Sequence, residues 1–328
     1  MKRKAICMII LFLMSLNPDK SMANFIQTQS VYSYDQLTTD LSYLQKTYPL
    51  EIQSIGQSHF GREIWAVKLG KGKENILFVG SHHGREWLTT NSLMKMMEEY
   101  SLFYRNGQKY KGMSSRELFD EVAIWFVPML NPDGVMIAQQ GLSSVPKQQR
   151  TSIFEMNLAS LDFRKWKANG VGVDLNRQYP AGWSKQKSDV NQPFYQFYKG
   201  KRPLEAKEVQ HLTLFISRID PKIVVSFHTS GQEIFWHYKN GENTQRDYDI
   251  AQKLSELTAY SLSSPVKYAR GGGLTDWIIT TRKIPAFTIE MCPLVEETTP
   301  PLTCLKEEWK RIRFIGFLLA REAISLKE

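Results

Sequence analysis

Apolar and polar positions run along this chain in blocks whose period switches between helical and extended. Ser33 is placed to open a helix, with Gln36 three residues on in the pattern of a capping box. Leu37, Leu41 and Leu44 then share one face, and Pro49 lies beyond the end. Two β-like runs follow, over residues 51–55 and 63–69, the second alternating Ile64, Ala66, Lys68 against Trp65, Val67, Leu69. Residues 75–79 are an apolar run that reads as a buried strand and breaks at Gly80-Ser81 into a polar loop; residues 89–104 read as a helix. A second buried strand is predicted over 122–129, then a turn at Asn131-Pro132-Asp133-Gly134. Residues 141–203 are long, polar and aromatic-rich with little periodicity, the character of functional loop structure. Beyond them the pattern predicts a helix over 206–217, a strand over 223–227 and a helix over 248–262. A glycine-rich loop at 271–273, a short helix near Asp276, a strand over 286–290 and a helix over 305–325 complete the chain.

Buried strands alternating with helices predict an α/β fold. We expect a single domain with a mixed, largely parallel, twisted sheet covered by helices on both faces. In such folds ligands sit at the carboxyl ends of the strands. Four polar clusters end or follow apolar strands here: 82–86, 131–134, 228–232 and Glu290. The pattern therefore expects residues far apart in sequence to share one site.

Composition adds limits. With 328 residues, 42% hydrophobic and 23% charged, the chain can bury a sizeable core, which excludes general disorder. The N-terminus stands apart from that core. Lys2, Arg3 and Lys4 precede an apolar run over 5–16 and a small-x-small ending, Ser21-Met22-Ala23. This is the layout of a secretory signal over 1–23, the rival reading being an uncleaved anchor. The expected order is then signal peptide 1–23, a loose mature extension 24–31, and a single folded domain over 32–328. The expected location is secreted or cell-wall associated, with no stable membrane insertion after cleavage. Net charge is +9, and removing residues 1–23, with four basic groups and one acidic group, leaves +6. That mild basicity suits an anionic surface such as a cell wall or is an ordinary basic surface. No basic run interleaved with aromatics points to nucleic acid, and a monomer is favoured. Cys292 and Cys304 have a spacing that allows one disulfide in an oxidising compartment.

His83-Gly84-Arg85-Glu86 offers two metal ligands three residues apart, and His228 at another strand end is the natural third. Two histidines and a glutamate form a catalytic zinc set, with a fourth position left for water. His82 competes with His83 on spacing alone. Glu290 ends an apolar strand, either as the general base beside such a metal or as a buried ion-pair partner. Asp174 is placed to orient a ligand histidine. Asn176 and Arg177 are placed to clamp a substrate carboxylate, or else belong to an ordinary surface loop.

The ordered set resembles the zinc metallocarboxypeptidase family, the carboxypeptidase A-like enzymes. The residues that carry the resemblance are 80–87 (Gly-Ser-His-His-Gly-Arg-Glu-Trp), 128–134, 172–177, Ser226-Phe227-His228, Tyr268 to Trp277, and 287–290. It spans about residues 32–322. The resemblance implies a single Zn²⁺ held by His83, Glu86 and His228, with Asp174 orienting His83. It implies Glu290 as base, Arg85 as a substrate-binding arginine, Asn176 and Arg177 as the carboxylate clamp, and Tyr268 as a mobile tyrosine over substrate. Where the family places an arginine after a tryptophan to stabilise the oxyanion, this chain has Trp166-Lys167. Lys167 then takes that role, with Arg164 as its rival. Thr275, just before Asp276-Trp277, implies a polar side-chain pocket. Residues 166–180 look like the bacterial branch that cleaves γ-D-glutamyl–diaminopimelate bonds, so the implied substrate is a peptide or muropeptide. The alternatives are a general carboxypeptidase and a non-catalytic wall-binding protein on the same scaffold.

Overall fold

The computed structural model describes residues 25–186, 188–265 and 270–326. The expected signal at 1–23, and Tyr268, lie outside the described residues. Helix α1 (Tyr34–Thr47) opens at Ser33, whose hydroxyl accepts from the Gln36 amide at 3.1 Å. The capping box is half made, because the Gln36 side chain turns forward and donates to Asp40 at 2.7 Å. The segment before α1 is not the loose extension expected. Phe25 and Ile26 amides donate to the Glu98 carboxylate, Asn91 donates to the Thr28 and Ser30 carbonyls, and Ile26 is buried.

Strands β1 (Glu51–Gln57), β2 (Glu63–Leu69) and β3 (Glu74–Val79) follow. A two-residue hairpin, β4 (Lys109–Tyr110) with β5 (Met113–Ser114), stands apart from the main sheet. Strands β6 (Val122–Val127), β7 (Ile223–Thr229), β8 (Glu233–Phe235), β9 (Ser261–Ser263) and β10 (Ala286–Met291) complete the set. The main sheet runs β1-β2-β6-β3-β7-β10-β8-β9. Its four central strands β6, β3, β7 and β10 are mutually parallel, and antiparallel pairs flank them. β6 stops two residues short of the expected end because Pro128 has no N–H to give the ladder.

Alternation along these strands feeds two cores. On one face Phe78, Phe126, Phe227 and Phe287 pack in a cluster with Met94 of α2 (Leu88–Asn106), Leu254 of α7 (Thr244–Thr258), Ile312 of α9 (Cys304–Ile312) and Leu319 of α10 (Ile315–Ser325). Phe119 of α3 (Ser115–Glu121) joins them. On the other face Leu77, Val79, Val127 and Val224 pack with Leu212, Phe215 and Ile216 of α6 (Lys207–Ile219) and Trp277 of α8 (Leu274–Trp277). Both faces are therefore covered, as near-continuous apolar strands require. A third, smaller cluster joins Ile137 of α4 (Pro132–Gln140), Ile153 of α5 (Arg150–Met156), Phe163 and Trp166.

Several elements differ from the periodicity reading. The motif at 131–134 is the start of α4: the Asn131 side chain accepts from the Gly134 amide at 2.9 Å and Pro132 takes the first helical position, where its missing N–H costs nothing. Helix α7 lies about one turn earlier than 248–262 and ends at Ala259, whose φ of 56° is left-handed. The polar residues beyond it form β9 on the sheet edge, where no apolar alternation marks a strand. The C-terminal helix breaks at Arg313-Phe314, and Phe314 stacks on Tyr110 with centroids 4.5 Å apart. Cys292 and Cys304 are disulfide-bonded with Cα atoms 5.9 Å apart. No helix among the described residues is long and apolar enough to cross a membrane.

Glu208, in the first turn of α6, is fully buried and accepts from the Asn169 side-chain amide at 3.2 Å and the His59 backbone amide at 3.4 Å. Burial pushes its carboxyl up to about 7. The native state thus favours the protonated form, a stabilisation present below the unfolded carboxyl pKa and lost as pH rises through 7. For metal-free protein we expect Glu208 to cost on the order of 3 kcal/mol more at pH 8 than at pH 4.5. Glu208→Gln is expected to remove that part of the pH slope in thermal unfolding; identical slopes in the two proteins would refute it.

Candidate active site

The parallel pairing of the central strands sends their carboxyl ends to one edge. Backbone bonds extend the register beyond the strands: Gly80 N–H donates to the Val127 carbonyl, Leu130 N–H to Gly80 and Asn131 N–H to Ser81, all within 3.0 Å. The Asn131 side-chain amide then donates to the His82 and Ala168 carbonyls, both at 3.1 Å, tying three segments together. Gly84 is needed here for space, since a Cβ would lie 2.3 Å from the Gly134 carbonyl oxygen. Its tight approach lets residues 84–86 form one 3₁₀ turn, which puts His83 and Glu86 on the same side. In β7 and β10, Phe227 and Ile289 point into the first core, so His228 and Glu290, paired in register, project to the opposite face.

Three side chains converge. His83 Nδ1 lies 2.8 Å from Glu86 Oε1, His228 Nδ1 2.8 Å from Glu86 Oε2, and the two Nδ1 atoms 3.2 Å from each other. Among the described residues these form the one group of three or more metal-capable side chains, and all three are buried. The geometry fits zinc. Tetrahedral Zn–N bonds of 2.0–2.1 Å separate neighbouring ligand atoms by about 3.3 Å. Each remaining ring nitrogen is occupied: His83 Nε2 faces Asp174 Oδ1 at 3.2 Å, and His228 Nε2 faces Ser226 Oγ at 2.9 Å. His82 turns away from the group, with Nδ1 on Ser226 and Nε2 on Tyr179. That separates the two histidines that spacing left open.

Electrostatics follow the packing. Burial would raise the Glu86 carboxyl, but His83 and His228 reverse this and hold it well below its ordinary range. Burial would likewise raise Asp174, yet Lys167, His83 and Arg177 bring it far down. Lys167 Nζ is 3.7 Å and Arg177 Nε 3.4 Å from Asp174 Oδ2, and both cations lie over the Phe197 ring. Glu290 goes the other way: burial, then the negative charge of Glu86, push its carboxyl well up. Burial lowers the pKa of His228, and of His82 still further.

The group opens into a cleft of about 360 Å³ lined by His83, Glu86, His228 and Glu290. Lys167, Asn176, Arg85 and Thr275 also line it. Arg164 does not: it is exposed and grips Asp162 with both Nε and Nη2, which leaves Lys167 as the cation of that loop facing the cleft. Arg177 lies over the Phe197 ring, 5.3 Å from its centroid, and is not itself part of the lining. The Asn176 side-chain oxygen accepts from the Leu274 amide at 3.0 Å, and Thr275 Oγ1 meets Thr288 Oγ1 at 2.7 Å. Arg85 donates to Gln196 at 2.9 Å, and Gln196 donates in turn to Glu297. Sequence reasoning missed Phe197, Gln196 and the wall formed by Leu294, Val295, Glu297 and Thr298. The signal for that wall was available: the Cys292–Cys304 loop begins two residues after Glu290.

Residues 37–324 match the zinc carboxypeptidase family model. A gamma-D-glutamyl-L-diamino acid endopeptidase 1 of Lysinibacillus sphaericus is 31% identical over 81% of this chain and 67% of its own length. Among solved structures, thrombin-activatable fibrinolysis inhibitor superposes with a TM-score of 0.70 at 18% identity, covering 92% of this chain and 75% of that one. Carboxypeptidase A of Helicoverpa armigera gives 0.69 at 18%, covering 92% and 76%. The structural matches show the shared fold, and the sequence match over nearly the whole described domain shows the kinship: this chain belongs to the zinc carboxypeptidase family and is a zinc metallopeptidase.

Proposed function

We propose that this chain is an exported peptidase that hydrolyses γ-D-glutamyl–diaminopimelate bonds of cell-wall peptides, using one Zn²⁺ held by His83, Glu86 and His228. The observation that carries the zinc-hydrolase part is the meeting of two Nδ1 atoms and a carboxylate beside Glu290. Bound there, Zn²⁺ supplies the Lewis acidity that makes water a nucleophile near neutral pH and polarises a carbonyl. Glu290 faces the same cleft and takes the proton released as the C–O bond forms. It then hands that proton to the amine nitrogen as the C–N bond breaks. Its raised proton affinity suits a group that takes up a proton and hands it on. Lys167 is the positive charge for the developing oxyanion; such a donor is worth about 3 kcal/mol. Asn176 and Tyr268 hold the leaving group's carboxylate, with Arg177, over the Phe197 ring, adding positive charge.

Support for the substrate comes from two sides. The Lysinibacillus relative is named for γ-D-glutamyl-L-diamino acid bonds. The cleft is polar where a side chain would enter: the Thr275–Thr288 hydroxyl pair, Asp276 and His237 line it. Diaminopimelate ends in an ammonium and a carboxylate, which that lining matches better than an apolar side chain. On the acyl side a γ-linked glutamate carries a free α-carboxylate, and Arg85 is the cation placed to meet it. Export is supported by the n-region, apolar run and small-x-small ending of residues 1–23, and by the disulfide, which suits an oxidising compartment.

Glu290→Gln is expected to bind zinc as the wild type does and to lose nearly all turnover, read by metal analysis and a peptide assay on the same sample. Retained activity would remove Glu290 from the mechanism. Asp174→Asn is expected to weaken zinc binding by about 10–100-fold, because it takes the charged acceptor from His83 Nε2; unchanged affinity in a chelator competition would contradict that. For the substrate, a defined L-Ala-γ-D-Glu-diaminopimelate peptide and an ordinary α-linked peptide should be digested side by side. Mass spectrometry should show cleavage at the γ-linkage. Release of C-terminal residues from the α-linked peptide alone would favour the general carboxypeptidase.

A further inference from the structure

Beyond Arg85 the cleft wall carries a row of polar groups that the hydrolytic machinery does not use. Arg85 donates to Gln196 Oε1 at 2.9 Å, and Gln196 Nε2 donates to the two Glu297 carboxylate oxygens at 3.2 and 3.3 Å. Both ends of this buried amide are engaged, so Gln196 sets the spacing between a cation and a carboxylate. Glu297 belongs to the loop that the Cys292–Cys304 disulfide closes. That loop is fastened to the site: the Val295 amide donates to Ser230 Oγ at 2.9 Å, and the Thr299 hydroxyl to the Arg85 carbonyl at 2.6 Å. Glu297 lines the cleft together with Leu294 and Val295 of the same loop. Its cationic neighbour Lys165 stands 4.0 Å away, and the two side chains are 53% and 42% exposed, so that pair contributes little. Glu297 is thus a carboxylate facing substrate with capacity for a stronger cation.

We propose that Glu297 receives the free amino end of the substrate's acyl part, so that the enzyme takes peptides already released from the glycan. This rests on the γ-glutamyl reading above. With Arg85 on the α-carboxylate of a γ-linked glutamate, the alanine ammonium of an L-Ala-γ-D-Glu unit lies one amide unit further on. The wall runs cation, amide, carboxylate, and the substrate presents carboxylate, amide, ammonium. The charges match end to end, and Leu294 and Val295 offer the alanine methyl an apolar contact. A peptide still joined to the glycan has a neutral amide nitrogen in that place. Its binding takes water from Glu297 without supplying a cation, which selects against it. The reaction that must come first is hydrolysis of the amide joining the peptide to the glycan. That step consumes one water, leaves a carboxylate on the glycan side and frees the alanine ammonium. Glu297 is a specificity residue and takes no part in bond cleavage.

The test measures kcat/KM of the zinc-loaded enzyme on L-Ala-γ-D-Glu-diaminopimelate and on the same peptide acetylated at its amino end. The ratio of the two values is independent of how much of a variant is folded and active. Wild type is expected to favour the free amine by about 10-fold or more, the size of a hydrogen bond between charged groups, and mainly through KM. Glu297→Gln is expected to bring the ratio close to one, and Glu297→Lys to reverse the preference. A wild-type ratio near one, or a wild-type preference that survives in both variants, overturns the inference and leaves the γ-glutamyl reading standing. Failure of wild type to cut the γ-linkage in either peptide overturns that reading, and the inference with it.

Discussion

Parallel pairing of β3, β6, β7 and β10 is the constraint on which the site depends. One register brings the chain after Val79, the Asn131 clamp, His228 and Glu290 to a single sheet edge, across more than 200 residues of sequence. The strands hold that register because their side chains feed apolar clusters on both faces, and a one-residue slip would exchange the two sets. His228 and Glu290 keep their common direction for the same reason. The apolar layers beneath the polar site thus fix where its side chains start.

Its charges balance only as a group. Asp174 is fully buried and is kept ionised by Lys167, Arg177 and His83. Buried ions are costly without such partners. Glu86 and Glu290 oppose one another in the same cleft, and part of the upward pressure on Glu290 comes from Glu86. A dication held by His83, Glu86 and His228 would offset the charge of Glu86 and relieve that pressure, which would couple metal loading to the proton affinity of Glu290.

Much of this was legible in the sequence, for a physical reason. His83, Glu86, His228 and Glu290 all follow or end apolar runs, and in a sheet of parallel strands those ends must meet. Strand 63–69 was predicted to the residue because its alternation is clean. The choice between His82 and His83 was not readable from spacing, since it depends on where each ring finds a partner. Only the fold brings Ser226 and Tyr179 to His82. Arg164 is likewise held outside the cleft by Asp162, two residues away, while Lys167 lines it, a contrast that residue spacing does not show. Elements that carry no apolar period, such as the edge strand at Ser261–Ser263, gave no signal, and the break at Phe314 depends on a distant Tyr110.

The central claim is that one ion is held by three side chains through a particular atom of each. Anomalous diffraction at the zinc edge from crystals of protein purified without chelator tests it directly. The account predicts a single peak per chain, about 2.0–2.1 Å from Nδ1 of both His83 and His228 and within bonding distance of Glu86. A peak bonded to His82, an ion held through Nε2 of His228, or no peak beside Glu290 would contradict it.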